Sequence, residues 1–419
     1  MSLGRYRVSL FVCAALMLSA CGGGGGGGGG ETIPPFDSYS SVAVKDLNGD
    51  GLPDVVAVYA HISGAPPHPG FVAVYLQNAA NPGHFLPAST YAVGNDPESV
   101  AVADLDGDGR PDIVTANAIL SANGAGNSTV SVLLQDATHP GHYLSAVNYA
   151  TGADPVFVAI GDLNGDGKPD LAVADSTGIS VLLQDSAGKF LPKTTIATGA
   201  PCSSVAIVDL DGDGTPDLLA TDAVSVLVLL QNPGDGGSFR APVRYAAGQQ
   251  PLYAVAGDLN GDGKPDIAVA NIGTPSDLTK ASVSVLLQDP ALPGAFLPAV
   301  NYATQADSTA VAIADLNGDG WPDLSVANSG TLAGVCPPDC NSANTGISVL
   351  LQDGATAGHF GAAVDYPATG NDFVTGVAVA DVNGDGRPDL IVLQAGGVFV
   401  RIQDPLNPGH FLAAQSIAN

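Results

Sequence analysis

Oxygen-bearing side chains recur at fixed odd positions of a nine-residue stretch, D-[LV]-[ND]-G-D-G-x-P-D, that appears seven times in the 419 residues. The first copy sets Asp46, Asn48, Asp50 and Asp54 at positions 1, 3, 5 and 9, with Leu52 at position 7. In the same order of positions 1, 3, 5, 7 and 9, the second copy reads Asp104, Asp106, Asp108, Arg110, Asp112, and the third Asp162, Asn164, Asp166, Lys168, Asp170. The fourth reads Asp209, Asp211, Asp213, Thr215, Asp217, and the fifth Asp258, Asn260, Asp262, Lys264, Asp266. The last two read Asp315, Asn317, Asp319, Trp321, Asp323 and Asp381, Asn383, Asp385, Arg387, Asp389. Hard oxygens crowded into one short loop suit Ca²⁺, which takes about 6–8 oxygen ligands in a flexible shell. Without a cation, three or four carboxylates so close together repel one another. Position 6 is always Gly, which reaches positive φ cheaply and lets the chain turn around an ion. Position 8 is always Pro, which extends the residue before it and aims the position-7 carbonyl at the metal. The variety of side chains at position 7 fits a ligand supplied by backbone.

The opening D-x-[DN]-x-D-G resembles an EF-hand loop, but that loop ends in a Glu at position 12 between two helices. Here the last acid is at position 9 and both flanks read as strands. Asp-Gly and Asn-Gly also mark plain hairpin turns. A plain turn has no need of the position-9 Asp, yet all seven copies carry it. These loops resemble the calcium loops of FG-GAP/VCBS repeats, the blades of integrin α-subunit propellers and of many bacterial surface proteins. The resemblance covers about residues 41–419. It implies that the side chains at positions 1, 3, 5 and 9 and the carbonyl at position 7 bind up to seven Ca²⁺. Asp106 and Asp211 add a carboxylate at position 3, so their loops are expected to bind tightest.

The loops must be held by something that repeats with them, and first aspartates are spaced 58, 58, 47, 49, 57 and 66 residues apart. A fixed motif at such a period means a repeat architecture. Before each loop runs an alternating strand, such as Val42-Ala43-Val44 or Val205-Ala206-Ile207, with β-branched residues on one side and Ala on the other. A second strand follows the loop, and the third recurs nearly unchanged, as in Val132-Leu133-Leu134-Gln135-Asp136. The repeated Gln reads as a structural hydrogen-bonder. The fourth strand is expected to begin at an aromatic residue, as in Phe85-Leu86-Pro87 or Tyr143-Leu144-Ser145, with proline suiting an outer edge. The fold class is therefore all-β, a seven-bladed β-propeller of four-stranded antiparallel blades. Its first strand is expected from Ser41 and its last over Phe411–Ala418, with no terminal strand swap. The sequence does not show how the ring closes; Phe36–Tyr39 is a candidate to contribute.

The chain carries −28 formal charges, and 23 of its 41 acidic residues are loop aspartates. That charge is metal-site chemistry, and what remains negative argues against nucleic acid. Residues 1–20 contain Arg5, Arg7 and an apolar run from Val8 to Leu18, too short to span a bilayer and laid out as a signal peptide. Leu18-Ser19-Ala20-Cys21 resembles a bacterial lipobox, which implies cleavage, lipidation of Cys21 and export to the outer membrane or cell surface. Residues 21–40 then form a tether, nine glycines of which cannot fold. Membrane attachment is expected through the lipid alone.

Cys336 and Cys340 flank Pro337-Pro338-Asp339 in a long insertion and are expected to pair as a disulfide in an exported protein. Cys202 is left over as a partly buried free thiol. Four histidines (His84, His142, His359, His410) occupy equivalent turns, and His61, His68 and His139 are expected in loops. The connections between second and third strands vary most, at Tyr59–Gly70, Ala118–Ser128, Asn271–Ala281 and Asn328–Thr345. They lie on the face away from the calcium loops, and that face is the expected binding surface. The sequence thus reads as a non-catalytic recognition or adhesion module for a protein or glycan ligand. A lectin is the nearer alternative, weakened by a single tryptophan, Trp321. A polysaccharide-acting enzyme is the further one, with no nucleophile elbow, zinc motif or Lys–His–Tyr cluster to support it.

Overall fold

The computed structural model describes residues 36–62, 68–118, 128–232, 234–273, 280–330, 345–354, 356–369 and 373–417. The signal segment, Cys21, the glycine tether, and the Cys336–Cys340 pair lie outside the described residues, as do most of the long connections between second and third strands.

The described residues form seven four-stranded antiparallel sheets, each made of four consecutive strands in the order first-second-third-fourth. Blade 1 comprises Phe36–Lys45, Asp54–Ile62, Gly70–Tyr75 and Ser89–Val93. The others span 97–150, 157–196, 204–245, 251–303, 308–367 and 374–416. Strand alternation assigns successive side chains to opposite neighbours. In blade 1, Val55, Ala57, Ala73 and Tyr75 pack towards blade 7, whereas Val56, Val58, Val72 and Val74 pack towards blade 2. The same division separates Val42 and Val44 from Ala43 on the first strand, as the alternation predicts. The core is therefore seven clusters, one between each pair of neighbouring blades. A fully buried leucine such as Leu163 or Leu210 contributes roughly 1.5–3 kcal/mol to such a cluster.

The outer strands differ from the sequence reading. Phe85, Tyr143, Phe296 and their counterparts each form a lone bridge to the repeated Gln, and the fourth strand starts four residues later, at Ser89, Val147 and Val300. Between bridge and strand the chain runs irregularly, with Pro87 and Pro298 unable to donate to a ladder. The last strand is only Gln415–Ser416.

Among the described residues no strand is exchanged between the terminal blades, and the ring closes by packing and a side-chain hydrogen bond. The first strand begins at Phe36 rather than Ser41, with a bulge between Tyr39 and Ser41. Tyr39 joins the cluster shared by blades 7 and 1, its hydroxyl 3.3 Å from that of Tyr75. Thr375 Oγ1 of blade 7 donates to the Tyr39 carbonyl at 3.4 Å. The Phe36–Tyr39 segment thus does help close the ring.

Candidate metal loops

Each nine-residue stretch joins the first and second strands of its blade and is built the same way. In six loops the position-1 carboxylate accepts three backbone N–H groups, as Asp46 Oδ1 takes those of Gly49 (2.8 Å) and Asp50 (3.2 Å), and Oδ2 that of Gly51 (2.9 Å); Asp209 accepts two, from Gly212 and Gly214. Asn48 Oδ1 accepts the Asp50 N–H, and Asp50 Oδ1 the Leu52 N–H, both at 2.9 Å. Gly49 and Gly51 hold φ of 78° and 84°, the left-handed region in which a side chain is strained.

The donor set fits a hard cation. Carboxylate oxygens of Asp104, Asp106 and Asp108 lie within 4.8 Å of one another, and so do those of Asp209, Asp211 and Asp217. Two oxygens on one Ca²⁺ are separated by at most roughly 5 Å. These are the two loops with Asp at position 3. In the Asn loops an amide Nδ2 points at the position-5 carboxylate, as from Asn317 to Asp319 at 2.9 Å.

The position-9 aspartate has a second task that the motif does not announce. Asp54, Asp112, Asp170, Asp217, Asp266, Asp323 and Asp389 are 0–1% exposed. In each, Oδ2 accepts the N–H of position 2 and Oδ1 the N–H of the repeated Gln on the third strand. This residue ties the start of the second strand to its own loop and to the segment after the third strand, so its recurrence has a reason beyond calcium. Burial pushes the carboxyl up to about 6 in Asp54, Asp112, Asp217, Asp266, Asp323 and Asp389, helped by the neighbouring loop charges and opposed by the two backbone bonds.

Position 7 also does more than present a carbonyl. Arg110 pairs with Asp108, Lys168 with Asp166 at 3.4 Å, and Arg387 with Asp385 at 3.3 Å. Trp321 reaches sideways to blade 5, where a Cβ on Gly261 would lie 2.9 Å from its ring.

The repeated Gln is structural, and it reaches between blades. Gln135 Nε2 donates to the Pro111 carbonyl of its own blade and to the Leu47 carbonyl of the preceding loop, both at 2.9 Å, while Oε1 accepts the Gly141 N–H at 3.3 Å. The turn before each fourth strand therefore sits on the preceding blade's loop, as Gly141 sits 3.4 Å from Asn48 Cβ when given a Cβ of its own. Both kinds of loop lie on one face.

Several other side chains singled out by the sequence make contacts away from the loops. His61 lies at the end of a strand rather than in a loop and contacts Asp37 at 2.8 Å. His68 is buried, with Nδ1 2.7 Å from Asp96 Oδ1, a pairing that no motif signals. His142 and His410 contact Tyr91 and Tyr366 of the preceding blades at 3.3 and 3.2 Å. Cys202 is a free, buried thiol, pushed up to about 11 by burial.

The FG-GAP-like repeat family matches residues 46–115, 162–220, 209–269 and 335–392, and the FG-GAP repeat matches residues 308–347. No curated protein matches the chain. Among solved structures, an Agrocybe aegerita lectin that recognises non-reducing terminal N-acetylglucosamine is 18% identical at a TM-score of 0.53, over 91% of this chain and 94% of the lectin. A Lactobacillus plantarum protein is 14% identical at 0.56, over 87% of this chain and 96% of that one. An exotype rhamnogalacturonan lyase is 14% identical at 0.50, over 90% and 74%. At such identities these likenesses show the propeller fold alone.

Proposed function

The chain belongs to the FG-GAP-like repeat family, and from that premise we propose a calcium-stabilised, non-catalytic recognition module, exported and held at a bacterial surface by a lipid on Cys21. The observation that carries the calcium part is the pair of three-carboxylate groups at Asp104, Asp106, Asp108 and Asp209, Asp211, Asp217. Bound calcium would cancel the loop charge and fix the hairpins between first and second strands. The whole ligand set at positions 1, 3, 5, 7 and 9 of all seven loops belongs to this reading. So do residues 21–40 as a tether and a Cys336–Cys340 disulfide that stiffens one long connection.

Recognition by a rigid scaffold fits the varied connections on the face opposite the loops. The non-catalytic part rests on the sequence, which shows no repeat-breaking cluster of Lys, His and Tyr, no nucleophile elbow and no zinc motif. One similar structure is described as a sugar-recognising lectin and another as a polysaccharide lyase, so glycans are the first ligands to try. A glycan array probed with residues 31–419 in Ca²⁺ and in EGTA tests the proposal. Calcium-dependent retention of one sugar class makes the module a lectin. Release of shortened oligosaccharides from the array would contradict the non-catalytic reading. A folded protein that retains no glycan moves the ligand to protein, sought next by cross-linking on the native envelope.

A further inference from the structure

Hydrogen bonds through the buried glutamines join the loops of neighbouring blades. In five loops the position-2 residue is held on both sides: its N–H by the position-9 Asp of its own blade, its carbonyl by the Gln of the next. That Gln in turn rests its backbone N–H on the position-9 Asp of its own blade. Gln135 reaches Leu47 at 2.9 Å, Gln184 reaches Leu105 at 2.8 Å, Gln231 reaches Leu163 at 2.9 Å and Gln288 reaches Leu210 at 2.8 Å. Gln403 reaches Leu316 at 2.6 Å. At two seams the link is broken. Among the described residues, Gln352 Nε2 donates only to Pro322 of its own blade, and Gln77 Nε2 only to Pro53.

We propose that the loops take up calcium as two coupled runs, loops 1 to 5 and loops 6 and 7, in which ordering one loop raises the affinity of the next. The inference rests on the calcium reading above. An ion drawn against a position-9 Asp fixes that carboxylate, and with it the two peptides it binds. One belongs to the position-2 residue of its own loop, whose carbonyl holds the next blade's Gln. The other is its own Gln, which holds the preceding loop. A second ion then meets a loop whose ordering cost is partly met, which is positive coupling without any large movement. Where the Gln stays within its own blade, no such peptide is shared. Trp321 lies across one of these seams, against Gly261 of loop 5. Its emission therefore reports on loops 5 and 6.

The test uses the full chain and its one tryptophan. Calcium is titrated while Trp321 emission is followed, in the parent, Asp209→Asn, Gln288→Met and the double variant. Loss of the loop 4 carboxylate is expected to weaken the affinity seen at loop 5 about five-fold, the lower end of ordinary site coupling. In the Gln288→Met background the same change is expected to have no further effect. Equal weakening in both backgrounds, or none in either, overturns the coupling. Should Gln288→Met fail to fold, Gln288→Glu removes the same donor. Should Trp321 emission stay flat while calcium binds, calorimetry reads the same cycle. A chain that binds no calcium at all overturns the calcium reading together with this one, so the two failures are told apart.

Discussion

Replacing Gln135 by methionine keeps the side chain's length and removes its amide. Three hydrogen bonds are lost, to the carbonyls of Leu47 and Pro111 at 2.9 Å and from the Gly141 N–H at 3.3 Å. Gln135 is 4% exposed, so water does not readily replace them. At about 1 kcal/mol net for each buried bond, the loss is about 3 kcal/mol. Gln77 supplies an internal control on the seam side of the ring. It makes two such bonds, to the Pro53 carbonyl at 2.9 Å and from the Gly83 N–H at 3.2 Å, so Gln77→Met is expected to cost about 2 kcal/mol. Urea denaturation in saturating calcium, followed by circular dichroism, measures both. The first variant should unfold at the lower urea concentration, with the unfolding slope unchanged in either. Equal midpoints, or Gln77→Met the weaker of the two, would refute the claim that the inter-blade bond contributes.

Three further outcomes follow from the same geometry. Asp217→Ala strands the N–H groups of Leu210 and Gln231, bound at 2.8 and 2.7 Å, and is expected to cost about 3–5 kcal/mol even in EGTA; Asp213→Ala, on the exposed side of the loop, should leave the calcium-free melting temperature nearly unchanged. Burial raises six of the position-9 carboxyls, Asp54, Asp112, Asp217, Asp266, Asp323 and Asp389, to about 6 against an ordinary 3.8, so at pH 5 the calcium-free folded chain is expected to hold protons that the unfolded chain has released. Its stability in EGTA should therefore fall as pH rises through about 6, and calcium, competing with those protons, should stabilise more at pH 7.5 than at pH 5. Melting curves at the two pH values check both signs, and a higher EGTA melting temperature at pH 7.5 would contradict them. Cys202, 3% exposed and with its thiol pushed up to about 11, should resist a thiol reagent at pH 8 until the protein is unfolded in urea.

Much of the fold was legible because a repeat states its rules seven times. The Val42-Ala43-Val44 alternation shows which neighbour each side chain meets, and the Gly and Pro of the loop show where the chain turns. The Phe85-type residues were harder. An aromatic followed by Leu and Pro looks like the start of an edge strand, but one bridge to the Gln and a core contact are all it makes. The spacing marks Asp54 and its equivalents for a metal alone, because backbone N–H partners on two other segments leave no trace in local spacing. The same limit hid the reach of Gln135 to Leu47, 88 residues away, although the Gln itself was recognised as structural. The His68–Asp96 pair depends on two connections that meet only in space.

The measurement that bears most directly on the account is the number of calcium ions the chain holds. The protein is stripped with EGTA, dialysed against graded calcium, and the bound metal is determined by atomic emission beside a melting curve at each concentration. The account predicts uptake approaching seven per chain, the loops of Asp106 and Asp211 filling first, with a melting temperature that rises alongside. A chain that takes up no calcium and melts at the same temperature throughout would leave the loops as hydrogen-bonded hairpins and contradict the central claim.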